Sequence, residues 1–153
     1  MAEFGHVHAP HWRHHPAVGT AVLTAAGIVY GWLAFFWYQA DGLTWAGLCA
    51  GLALAVAIAA YHYWDTSRDL PLHVNWMIGK RGVFSFALRW HHLVAVVVAL
   101  AAWGAVVLSL PPGGADAFMA GLMMMCPMIY PRSTLVWREA WRVYREKTGA
   151  GAE

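Results

Sequence analysis

Hydrophobic positions along most of this chain fall in long unbroken runs rather than at alternating or strictly helical intervals. Residues 17–38 carry no charged side chain and end on Trp32, Phe35, Phe36, Trp37 and Tyr38. Residues 43–63 are rich in Ala and Leu and open beside Trp45, and residues 93–110 are nearly all Val, Ala and Leu. A shorter run, 115–130, contains Pro127. A helix of about 20 apolar residues crosses the roughly 30 Å of bilayer hydrocarbon. The pattern therefore predicts four transmembrane helices, the last kinked at its proline. Trp and Tyr at the run ends match the headgroup layer.

The polar stretches between the runs are unequal. Gln39 to Gly42 and the PPGG of residues 111–114 predict tight turns, whereas 65–92 is a long polar connection. Residues 1–16 and 132–153 form polar tails.

Composition supports the same class. The 153 residues suffice for one domain, and 60% are apolar while 12% are charged. Soluble domains carry roughly 45–50% and about 25%. So little charge disfavours a soluble enzyme domain, a disordered chain and a coiled coil. Two cysteines exclude a disulfide framework and a four-thiolate zinc site. The first apolar run is too long for a cleaved secretory signal.

Charge placement gives an orientation. Threading four spans puts both tails and the 65–92 connection on one side. All ten Lys and Arg lie there: Arg13, Arg68, Lys80, Arg81, Arg89, Arg132, Arg138, Arg142, Arg145 and Lys147. Basic residues gather on the cytoplasmic side of a membrane. The expected fold is an all-α integral membrane four-helix bundle in the inner membrane, with N- and C-termini cytoplasmic.

In the last tail, Ser133 is placed to cap a helix on which Trp137, Trp141 and Tyr144 recur at i, i+4 and i+7. That spacing predicts a C-terminal interfacial amphipathic helix, aromatic face among headgroups and arginines toward anionic lipid. Gly27 with Gly31, and Gly47 with Gly51, form two GxxxG pairs that allow close helix packing. They suit either spans one and two packing together or a contact with another chain.

Candidate chemistry is dominated by nine histidines, all on or beside the inferred cytoplasmic face. His6, His8, His11, His14 and His15 crowd the N-terminal tail, a composition that binds transition metals. Within it, His11-Trp12-Arg13-His14-His15 resembles one HxxHH box of the membrane fatty-acid desaturases and hydroxylases. That resemblance implies a four-span di-iron oxygenase. It covers five residues, and the family's other boxes have no counterpart here.

His62 closes the second run, and His91 and His92 open the third, so they lie at similar depth. In this they resemble the axial ligands of b-type haem in membrane anchors of quinone-linked oxidoreductases. That likeness implies haem b held by His62 and His91 or His92, with Arg89 near a propionate.

The fourth run reads MAGLMMMCPM from Met119 to Met128. Met119, Met123, Cys126 and Met128 offer soft sulfur donors suited to Cu(I). The MxxxM spacing resembles copper transporters, and Cys-Pro resembles metal-transporting P-type ATPases; both likenesses are local.

No carboxylate falls at mid-span, and phosphate-binding glycine loops, HExxH and CxxC are missing from the sequence. The expectation is a non-catalytic accessory or assembly subunit of a larger membrane complex. A haem-bearing anchor and a copper-handling protein are the alternatives. Expected partners are the bilayer, anionic lipid at the cytoplasmic face, and other membrane subunits or a second copy, with no role in binding nucleic acid.

Overall fold

A computed structural model of the chain describes residues 8–10, 15–79 and 90–149, and all regular structure among them is helical. Helix α1 (Pro16–Trp32) starts on a proline, whose missing N–H is not needed in a first turn. His15 caps it, Nδ1 accepting from the Ala17 N–H at 3.1 Å. The bulky stretch that follows widens into a π-helical turn over Leu33–Trp37, closed by the Tyr38 N–H donating to the Leu33 carbonyl. The chain then reverses at Gln39, which takes a left-handed φ of 57°.

Helix α2 (Gly42–Arg68) restarts on a reciprocal cap. The Thr44 N–H donates to Asp41 Oδ1 at 2.8 Å, and the Asp41 N–H donates to Thr44 Oγ1 at 3.2 Å. Four helices follow: α3 (Leu70–Gly79), α4 (Trp90–Ser109), α5 (Pro112–Met123) and α6 (Met125–Thr148). Gly149, at φ 68°, ends α6 with a left-handed residue.

Three boundaries differ from those read in the sequence. The PPGG segment is a helix start rather than a turn, because Pro112 fits the first helical position and Gly113 and Gly114 are already helical and buried. The polar connection 65–92 is helical in its first half, since α2 runs on to Arg68 and α3 occupies Leu70–Gly79. Ser133 caps nothing. Helix α6 begins at Met125, passes through Pro131, and joins the end of the fourth run to the tail as one rod. Pro127 acts as expected, but upstream: the break falls at Met124, whose N–H reaches back to the Gly121 carbonyl. That places Pro127 in the first turn of α6, where a proline costs no hydrogen bond.

Helix α5 is the hub. It lies against both α1 and α2, which hardly meet each other. Gly47 stands against Gly114 and Gly51 against Phe118, so α2 and α5 run parallel. Gly27 faces Met123, Gly31 faces Ala120 and Tyr38 faces Gly113, so α1 runs antiparallel to α5. Both GxxxG pairs are thus used inside the chain, on a helix neither was paired with in the sequence.

What is buried there is small. Gly47, Gly51, Ala55 and Ala59 of α2 meet Gly113, Gly114, Ala117 and Gly121 of α5, with Phe118 the one large buried side chain of α5. The large apolar residues point outward: Ile28 is 68% exposed, Phe36 76% and Leu108 89%. Val96, Val97 and Val98 of α4 are exposed too. A globule in water buries its large apolar groups. The reverse arrangement suits helices that gain nothing by hiding them and gain van der Waals contact by close backbone approach. Two helical rods, Pro16–Trp37 and Gly42–Arg68, are long and apolar enough to cross a bilayer, and Val96–Ser109 is a shorter apolar stretch.

A second core follows the ordinary rule. Val74 and Ile78 of α3 pack with Val136 and Ala140 of α6, covered by Leu70, Met77, Val143 and Tyr144. The face expected to lie among headgroups is partly used here: Trp137 is buried, with the His15 ring edge-on at 5.2 Å.

Candidate functional site

Where the two kinds of packing meet, polar side chains from three helices gather at one level. His62, Asp65 and Thr66 stand at i, i+3 and i+4, hence on one face of α2. The α2 helix ends at Asp69, and the turn into α3 brings His73 back over that face. Its Nε2–H donates to Asp65 Oδ2 at 3.0 Å. Asp65 and Thr66 are both buried.

Helix α6 supplies the other side. Arg132 Nε donates to Thr66 Oγ1 at 2.9 Å, and Thr66 Oγ1 in turn donates to the His62 carbonyl at 2.7 Å. Ser133 Oγ lies 3.3 Å from His62 Nε2. A buried hydroxyl, carboxylate or guanidinium is costly unless paired, and here each finds a partner on another turn or helix. The layer fastens α2 to α3 and to α6. His62 lies within electrostatic reach of Asp65, His73 and Arg132.

A cavity of about 310 Å³ opens beside this layer, between α1, α2, α3 and α6. His62, Thr66, His73 and Ser133 form its polar wall, and Thr20 faces it from α1. Leu23, Ile129 and Val136 line the apolar remainder, with Met77 and Cys126.

The residues singled out in the sequence are distributed as follows. His62 and Cys126 share the cavity. His91 and His92 take the second and third positions of α4, and their side chains lie outside the described residues, as do His6, His11, His14 and Arg89. His8 is exposed and its N–H donates to the Ile78 carbonyl, while His15 caps α1. Met119 Sδ accepts from Trp103 Nε1 at 3.2 Å, Met123 packs against Gly27, and the Met128 carbonyl accepts from Tyr63 Oη. Those three methionines thus engage α4, α1 and α2 respectively. Among the described residues no group of three His, Cys, Asp or Glu is spaced to hold a metal ion.

Sequence reading passed over Asp65, Thr66, His73, Arg132 and Ser133 as a cluster. The available signal was the i, i+3, i+4 spacing of three polar residues at the end of an apolar helix.

No family model, curated protein or solved structure matches the chain.

Proposed function

We propose that the chain is a small polytopic protein of the cytoplasmic membrane, with four spans and both termini on the cytoplasmic side. Its role in this reading is that of a non-catalytic accessory or assembly subunit of a larger membrane complex. The observation that carries the membrane half is the inverted packing: Gly and Ala between helices, Val, Ile, Leu and Trp outside. Helix directions support it, because α1 opposed to α5 and α2 parallel to α5 is the pattern of four alternating passes.

The accessory half is supported by how the polar layer is used. Its groups bind one another and clamp three helices, which is the work of a scaffold. Helix α4 touches mainly α5 and exposes Val97, Leu100 and Leu108 along its length. It is the face offered to another membrane subunit, and Arg138 and Arg145 of α6 are offered to anionic lipid or to an acidic soluble partner, Arg142 being paired with Glu139 and Glu146.

Mild detergent extraction from native membranes, followed by size analysis and identification of co-eluting proteins, tests the role. A larger, defined complex is expected. A free monomer that co-elutes with nothing refutes it. An optical spectrum and elemental analysis of the same sample separate the rivals, since a Soret band or stoichiometric copper would replace the accessory role with a haem or metal-handling one.

A further inference from the structure

We infer that the cavity between α1, α2, α3 and α6 binds the head of a neutral, membrane-dissolved amphiphile bearing a planar ring with carbonyl acceptors, the chemistry of an isoprenoid quinone. The inference rests on the membrane reading above, which sets the cavity at the edge of the hydrocarbon. At about 310 Å³ the space lies at the low end of small-molecule pockets, enough for a ring-sized head but not a whole lipid.

Three features of the lining select the head. The first is polarity confined to one wall, where Thr66 and His73 are held by their own partners and the Ser133–His62 pair keeps one hydrogen to donate to a carbonyl. The second is charge: the Asp65 carboxylate, paired to His73, is buried in the same layer. An anionic head would bring an unmatched charge beside a buried carboxylate, so a neutral acceptor fits better. The third is sulfur. Met77 and Cys126 both line the cavity and add polarisable, apolar side chains against which a flat ring can lie. The apolar remainder, Leu23, Ile129 and Val136, receives the start of an alkyl tail.

Two glycines make the test clean. Gly19 of α1 borders the cavity, and a Cβ there meets nothing within 4 Å. Gly104 of α4 is equally open and is not among the lining residues. Gly19→Leu therefore adds bulk at the cavity wall without a backbone clash, and Gly104→Leu is its matched control.

The chain, reconstituted in phosphatidylcholine nanodiscs, is titrated with decylubiquinone, with empty discs subtracted. Saturable binding at one site per chain is expected. Gly19→Leu weakens it about tenfold or more, while Gly104→Leu stays within about twofold. Uptake equal to that of empty discs, equal binding by the wild type and Gly19→Leu, or displacement by oleate more readily than by decylubiquinone overturns the inference. Discs that carry the protein yet bind no quinone overturn this inference and leave the membrane reading standing. Failure to insert into discs removes both this inference and the membrane reading.

Discussion

Gly51 of α2 sits so close to α5 that a Cβ at this position would lie 2.1 Å from the carbonyl oxygen of Phe118. Gly47 makes the same approach to the Gly114 carbonyl, also at 2.1 Å. Two backbones meet here with no side chain between them, and neither contact can yield by a rotamer change.

Gly51→Ala is therefore expected to destabilise the bundle by about 3 kcal/mol, at the upper end of overpacking penalties. Gly104→Ala, in open space, should be neutral or slightly stabilising. Thermal unfolding of the two variants in the same detergent measures the contrast. Equal melting temperatures would mean that α2 and α5 do not pack through this seam.

The two packing regimes predict opposite costs for the same chemical change. Ile78 is 1% exposed in the α3–α6 core, and Ile78→Ala should cost about 3 kcal/mol through lost burial and the cavity left behind. Ile28, 68% exposed on α1, faces only solvent or lipid, and Ile28→Ala should cost well under about 1 kcal/mol. Unfolding of both variants in lipid discs gives the comparison.

Cysteine labelling tests lipid exposure directly. Cys49 is exposed on α2 and Cys126 is buried. In intact membranes Cys49 should react slowly with a membrane-permeant maleimide and not with a charged one, because a thiol facing hydrocarbon is not ionised. Cys126 should react with neither reagent until the protein is unfolded. Rapid labelling of Cys49 by the charged reagent would place that face of α2 in water.

The cap at the start of α2 should be acid-sensitive. The Thr44 backbone N–H, and after it the Thr44 hydroxyl, hold the Asp41 carboxyl below its ordinary value of 3.8. The charged form is the bound form, so its contribution is complete above that value and is lost as pH falls through the lower, folded one. Amide exchange at Thr44 should accelerate in that acid window. Asp41→Asn keeps an acceptor without a titrating charge and should abolish the pH step.

The all-helical class is legible from composition, because a run such as 17–38, apolar and without charge, is long enough to form a single helix that could cross a bilayer. The turn at Gln39 and the break near Pro127 are legible too, each carried by local chemistry. Partner choice is not. Gly47 and Gly51 announce a close contact, yet only the fold shows it falling on Gly114 and Phe118, more than sixty positions along the chain. The start of α6 was misplaced because Pro131 and Ser133 mimic a helix entrance, whereas the helix tolerates that proline internally. The pairing of Asp65 with His73 depends on the turn at Asp69, a tertiary detail that no periodicity encodes.

Helix α6 is held at two levels, by Arg132 on Thr66 of α2 and, farther along, by Val136 and Ala140 against Val74 and Ile78 of α3. About 24 Å of helix runs from Arg132 to Thr148 at the helical rise. Its arginine-bearing end is therefore a stiff outrigger braced on α3 rather than a loose tail.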